Sequence, residues 1–322
     1  MRRRDLLMGL GAATVTPGCR AVIVRAPRLP ASLDPVTSAD AFYVFSCCST
    51  PEVDAAQPVI VRHDAELLGR FDLAAVQGLS AVIKEHTLQC VGSNPQLQLI
   101  SNGEWTCVRL DQVLDSLGVE VPDDALQLVL WGHDGYHAMV PLADLADAPL
   151  YVAYELNGEP LSIEHGFPLR VLAPNRYGMK NVKWLAELTF VSEEHISFYT
   201  PDGWSESAEY RANGFVASPP DGLRIDEGDE VKVLGTAFAG ADPIERVEVS
   251  IDDGPWRDAD IDYAPGADIW ALWSYRWSPP AGRHSLQVRV TTASGATSSL
   301  DPAGTDQAKG YDGGMRVAIE VM

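Results

Sequence analysis

Asn157-Gly158-Glu159-Pro160-Leu161-Ser162-Ile163-Glu164-His165-Gly166-Phe167-Pro168-Leu169-Arg170-Val171, continued by Pro174 and by Tyr177-Gly178-Met179-Lys180-Asn181-Val182-Lys183-Trp184-Leu185, is the run on which the reading of this chain turns. It interleaves His, Arg and Lys with Gly and Pro turns. The background is acidic: 45 Asp and Glu face 24 Lys and Arg over 322 residues, a formal charge of −21. Positive charge concentrated on such a background is what an anionic ligand such as a phosphate requires. The other reading of the same residues is a basic surface loop paired to neighbouring carboxylates. The overall balance argues against nucleic acid as a partner, because neutralising its phosphates needs an excess of Lys and Arg. Apolar residues at 46% and charged residues at 21% fit a packed globular protein with room for two domains.

Outward from this run, two patterns divide the chain. From about Arg25 to Val191, short strands mix with helical stretches. Ala81-Val82-Ile83, Thr87-Leu88 and Ala125 to Trp131 read as strand. Arg109 to Leu117 carries apolar residues at helical spacing and stops at Gly118, and Leu142 to Leu145 reads as a helical turn. From about Gly214 onward the chain alternates almost purely as strand, in Val231-Lys232-Val233, Val247 to Ile251, Leu286 to Val290 and Val317 to Val321, with Gly- and Pro-rich turns between. That spacing predicts an immunoglobulin-like sandwich without a disulfide. The expected organisation is a signal over 1–20, an α+β domain over 26–200, a linker over 201–215 and the all-β sandwich over 216–322.

The N-terminus, Met1-Arg2-Arg3-Arg4-Asp5-Leu6-Leu7 with a short apolar run after it, reads as an export signal of twin-arginine type. An exported, periplasmic or extracytoplasmic protein is therefore expected. Thr16-Pro17-Gly18-Cys19 offers a loose lipid-anchor site at Cys19. Among catalytic motifs there is no G-x-G-x-x-G after a strand, no P-loop, no G-x-S-x-G, no H-E-x-x-H and no C-x-x-C. His133 and His137 flank Asp134 at a spacing that serves a metal on a helix, but Gly132 and Gly135 argue for a loop. Cys47 and Cys48 are adjacent, which disfavours a mutual disulfide; their simplest reading is small buried residues after the strand Tyr43-Val44-Phe45. Cys90, in Thr87-Leu88-Gln89-Cys90-Val91-Gly92-Ser93-Asn94, closes an apolar strand before a Gly-containing loop.

L-Q-C-V-G-S together with N-G-E-P-L-x-x-x-H-G-F-P-L-R-V-x-x-P-x-x-Y-G-x-K-x-V-K-W-L resembles the sulfite oxidase family of molybdopterin oxidoreductases, from about residue 40 to the C-terminus. The resemblance implies a molybdopterin-binding domain followed by an immunoglobulin-like Mo-co dimerisation domain, hence a homodimer, with Mo-molybdopterin as cofactor. No haem domain is recognised, so electrons would pass to an external carrier such as a cytochrome c. Cys90 matches the thiolate on molybdenum, a soft ligand suited to that metal. His165, Arg170 and Asn181-Val182-Lys183 match positions that hold the pterin and its phosphate, and Asp134 matches an acidic pterin contact. Tyr43, Val44, Phe45, Ser46 and Cys47 stand where the family has a cofactor-contacting segment.

The departures bear on substrate. Phe45 and Pro95 replace two arginines that help hold sulfite, and Arg109 or Arg176 could supply another anion clamp. The active-site tyrosine is matched by Tyr199 or, in position, by Trp204. Cys107 stands where relatives have Gly, as a core residue or a second thiol near the site. The implied activity is oxidation of sulfite or a related reduced sulfur compound, the substrate being small and anionic or sulfur-containing. The alternatives are a sulfoxide-type reductase on the same cofactor and a non-catalytic interaction protein that keeps the fold.

Overall fold

Strand-forming sequence dominates the molecule, and its helical content is confined to two α-helices and a few 3-10 turns among the described residues. The computed structural model describes residues 33–322 and the backbone of Ile23–Arg25; the expected signal over 1–20 and Cys19 lie outside the described residues. Helix Leu73–Gln77 starts at Asp72, whose carboxylate accepts the Ala75 N–H. Helix Leu110–Ser116 buries Leu110, Val113 and Leu114, and the chain leaves it through Gly118 at φ +66°. The N-terminal half is thus more sheet-rich than an α+β reading implies.

Two five-stranded sheets build this half. One runs Glu159–Pro160, Tyr151–Leu156, Ile100–Arg109, Val82–Gln89, with Arg170–Leu172 added against Tyr151–Leu156. The other runs Glu66–Phe71, Val59–His63, Leu185–Val191, Gln127–Gly132, His137–Pro141. Val59, Val61, Leu128, Leu130, Leu188 and Phe190 of the second sheet bury against Val108, Val152 and Val171 of the first, with Val113 and Leu114 in the same core. Asn157-Gly158 turns the chain between two strands with φ of +56° and +79°, the left-handed pair that a two-residue hairpin turn needs.

From Asn213 onward two more sheets form. Asn213–Ser218, Val231–Phe238, Ala271–Trp277 and Asp260–Tyr263 make one; Leu223–Ile225, Arg316–Val321, Gly282–Thr292, Ile244–Ile251 and Arg257–Asp258 make the other. Phe215, Val233 and Trp273 share one core with Val247, Val288 and Val317, so the two sheets pack face to face. Residues 201–215 are packed rather than loose: Ala208, Tyr210 and Asn213 are buried. Among the described residues no helix is long and apolar enough to cross a membrane.

The Val82–Gln89 strand lies at the edge of its sheet, yet its outer side is covered. Thr87 donates its N–H to Asp268 O at 2.9 Å, the Trp270 N–H reaches Thr87 Oγ1 at 2.9 Å, and Gln89 exchanges side-chain hydrogen bonds with Asn213 at 3.2 Å. An edge strand that carries a reactive residue is thereby held on both sides.

Candidate cofactor and active site

Cys90 follows directly on the covered edge strand. Its N–H bonds Leu99 O at 2.9 Å and its carbonyl accepts the Ser93 N–H at 3.0 Å, so the backbone around the thiol is fixed. The thiol is buried, and burial pushes its pKa up to about 11, partly offset by the Gly92 N–H. Gly178 packs across from it: a Cβ there would lie 2.8 Å from the Tyr43 hydroxyl and 3.9 Å from Cys90 Cα, closer to the hydroxyl than side chains allow. Glycine is therefore what permits Tyr43 and Cys90 to sit together. Tyr136 and Tyr199, 5.7 Å apart between ring centres, lie in the electrostatic range of the Cys47 and Cys90 thiols. Burial holds both phenols far above their ordinary pKa, so each is a neutral O–H.

The Val44–Ser46 strand brings three further groups to this cluster. Lys183 Nζ donates to Ser46 Oγ at 2.6 Å and to the Glu164 carbonyl at 3.0 Å, and it stacks on Trp184 at 4.3 Å. Its acceptors are neutral, and among the described residues no carboxylate comes within ion-pair distance. Burial, then the nearby Arg170 charge, lowers its pKa to about 7. Cys47 and Cys48 follow Ser46, both buried, with sulfurs 2.8 Å apart, and the Tyr199 hydroxyl bonds Cys47. Asp134 completes the group; its carboxylate accepts the Tyr136 N–H at 3.1 Å. Gly166, at φ +106°, fits between Arg170 and Lys183, where a Cβ would come within 3.1 Å of each.

Other residues named from the sequence hold the site together from behind. Arg170 is buried, gives hydrogen bonds to the His165 and Asn181 carbonyls at 3.0 and 3.2 Å, and lies 4.9 Å from the Trp105 ring. Among the described residues its Nε has no hydrogen-bond partner, and burial lowers its pKa to about 10. His165 bonds Ala39 O at 3.0 Å through Nε2 and is held neutral, with a pKa of about 4, by burial. Asn181 accepts the Ala173 N–H at 2.8 Å and donates to the Arg176 and Tyr177 carbonyls at 3.1 Å each, a purely structural set of bonds here. Val182 is buried, its carbonyl taking the Val171 N–H at 2.8 Å.

The remaining candidate residues occupy different places. Tyr199 reaches the thiol cluster, whereas Trp204 is half-buried against the C-terminal core. Arg109 is tied to Asp111 at the surface, and Arg176 lies between Asp144 at 2.8 Å and Glu209 at 3.1 Å, so neither guanidinium is available as an anion clamp. Phe45 packs on the core around Phe42, Tyr43 and Cys90. Cys107 is a core thiol of the Ile100–Arg109 strand, its pKa raised to about 12 by burial. His133 and His137 diverge, one meeting Gln57 at 3.4 Å and the other His195 at 3.0 Å, so they do not form a pair.

Sequence reasoning missed Tyr136 and the Lys180–Glu206 pair. Tyr136 follows Asp134 by two residues and its hydroxyl bonds Met179 O at 2.5 Å. Lys180 is buried, with Glu206 at 2.7 Å, Met139 O at 2.7 Å and Ser197 Oγ at 2.8 Å; Glu206 also takes the Thr200 hydroxyl. The pair ties down the segment that presents Tyr199. Lys180 had a visible signal as part of Y-G-x-K, but its partner is separated from it by an irregular loop.

Residues 60–199 match the family model of the oxidoreductase molybdopterin binding domain. Mitochondrial sulfite oxidase of Mus musculus is 31% identical over 220 residues, 59% of this chain and 40% of that protein. Sulfite oxidase of Arabidopsis thaliana is 26% identical over 281 residues, 72% of this chain and 71% of its own length. The sulfane dehydrogenase SoxCD of Paracoccus pantotrophus shares the fold, with a TM-score of 0.80 at 18% identity over 94% of this chain and 88% of that one. These matches make the chain similar to the sulfite oxidases and their molybdopterin-binding domain. It spans only 40% of the length of the mouse relative.

The residues present fit that family's cofactor. A buried thiol is a suitable ligand for a soft metal. Lys183, a buried ammonium with neutral acceptors, and Arg170, with an orphaned Nε, are two cations poised for phosphate. Cys90 would hold the metal, and Lys183 and Arg170 the anionic end.

Proposed function

We propose that this chain is a member of the sulfite oxidase family, oxidises sulfite or another reduced sulfur compound by oxygen-atom transfer and passes the electrons to an external carrier such as a cytochrome c. The observation that carries the reading is Cys90, a buried thiol fixed by its backbone, in a region that also holds two protonated tyrosines and the Lys183 ammonium, which has no carboxylate within ion-pair distance among the described residues. Bound there, the molybdenum cofactor supplies two-electron oxygen-transfer chemistry. Cys90 would hold its metal, while Lys183 and Arg170 would neutralise and orient its phosphate. Tyr199 holds its proton at the phenolic oxygen and can donate to an oxygen of the substrate, while the Tyr136 hydroxyl is spent on the Met179 carbonyl. The aromatic wall of Phe198, Tyr199 and Tyr136 limits water.

The same reading takes the two C-terminal sheets as an immunoglobulin-like dimerisation module and the chain as an exported homodimer, with Cys19 a possible lipid anchor. The relatives named as sulfite oxidases and as a sulfane dehydrogenase support sulfur chemistry. One observation favours a second reading: Phe45 and Pro95 supply no guanidinium, and both replacement arginines are spent on carboxylates. A less charged substrate, as in sulfoxide reduction, suits such a pocket.

Expression in a host that makes the cofactor, metal analysis and an assay with sulfite and an artificial acceptor test the proposal. Bound molybdenum with sulfite-dependent acceptor reduction is expected, and Cys90→Ser should lose both while keeping the far-ultraviolet dichroism. A chain that carries no molybdenum would overturn both enzymatic readings. Activity on methionine sulfoxide with none on sulfite would select the second.

A further inference from the structure

We propose that Cys47, Cys48 and Asp134 form a second metal site, taking one soft divalent cation of the zinc and cadmium class, in the wall of the pocket and independent of Cys90. The starting observation is conformational. Adjacent residues in a strand point to opposite faces, so two neighbouring cysteines in extended chain present their sulfurs apart. Here the chain bends immediately after the Val44–Ser46 strand, and both thiols turn inward with sulfurs 2.8 Å apart. One oxygen of Asp134 joins them, all three donor atoms lying within 4.8 Å of one another. Two sulfurs and one carboxylate oxygen are a donor set for zinc and its heavier congener; magnesium and calcium, which take oxygen alone, are excluded by it.

The geometry needs little adjustment. Tetrahedral zinc holds two thiolate sulfurs about 3.8 Å apart, so the pair opens by about 1 Å, within reach of small side-chain rotations. Supports around the donors are in place: the Tyr136 N–H orients the carboxylate at 3.1 Å and the Tyr199 hydroxyl orients Cys47. Charge also closes. Two thiolates and a carboxylate around a dication leave one negative charge, and the neighbouring cation is Lys183, which feels both Cys47 and Asp134. Cys47 and Asp134 also stand at positions read as cofactor-contacting, so the site is tested in the chain free of cofactor.

The full chain, stripped with a chelator, is titrated with cobalt(II) and with cadmium(II), following sulfur-to-metal charge-transfer absorption and bound metal. Wild type and Cys90→Ser should each take one ion per chain with the same intense band. Cys47→Ser/Cys48→Ser should lose the band and the stoichiometric binding, and Asp134→Asn should keep the band with affinity lowered about tenfold or more. A band unchanged in the double variant, or lost in Cys90→Ser, would overturn the assignment. If the double variant does not recover native dichroism, Asp134→Asn decides, and unchanged affinity there refutes the site. Molybdenum content in the Cys90→Ser chain reports separately on the catalytic reading.

Discussion

Replacing Lys183 by Met should change how stability depends on pH. An ordinary lysine titrates near 10.5, whereas burial brings Lys183 down to about 7 in the folded chain. Between those values the unfolded chain binds a proton that the folded chain does not, so stability rises with pH across this window and the penalty is largest at and below pH 7. The full shift corresponds to about 5 kcal/mol. Because the side chain keeps part of its surface in water, about half, ~2 kcal/mol, is the working magnitude. Lys183→Met relieves that penalty but also removes the bonds to Ser46 and to the Glu164 carbonyl, about 1 kcal/mol each. At pH 7 the two effects nearly cancel. By pH 10 the penalty has faded in wild type while the variant still lacks the bonds, so wild type should lead by about 2 kcal/mol. Urea unfolding of the cofactor-free chain at pH 7, 8, 9 and 10 reads this directly, since all other titrations cancel in the difference. Parallel curves for the two proteins would refute the idea that Lys183 is a destabilised cation awaiting an anion.

Glu206→Gln should lower stability by about 2–4 kcal/mol in the same assay, because it strips the buried Lys180 ammonium of its carboxylate partner at 2.7 Å. Asn181→Leu strands the Ala173 N–H and two carbonyls and should cost about 2–3 kcal/mol, read as a lower urea midpoint. Tyr199→Phe keeps the ring packing and removes the hydroxyl on Cys47; with molybdenum content unchanged, turnover should fall by about 10²-fold. If turnover per molybdenum is unaffected, Tyr199 has no part in the chemistry.

Much of the site was legible where chemistry and local pattern coincide. Cys90 announces itself by ending an apolar strand before a glycine-containing loop, and the His165–Lys183 run does so by its charge. The turn at Asn157-Gly158 and the helix stopping at Gly118 follow from local preferences for left-handed backbone. What the chain did not disclose depends on contacts between distant segments. Arg176 reads as a free cation until the fold brings Asp144 and Glu209 to it. Cys47 and Cys48 read as filler until a bend turns both inward. Choosing Tyr199 over Trp204 likewise needed the packing of an irregular segment that no periodicity describes.

The strand that ends at Cys90 is sutured to the C-terminal half at Thr87 and Gln89 through Asp268, Trp270 and Asn213. Each stitch satisfies a polar group that truncation would leave bare. The Cys90 thiol is thus jointly owned: its register is set by residues more than a hundred positions downstream. The C-terminal sheets cannot be shed as an appendage without loosening the very strand on which the chemistry is mounted, and a force or a binding event applied there has a direct mechanical line to Cys90.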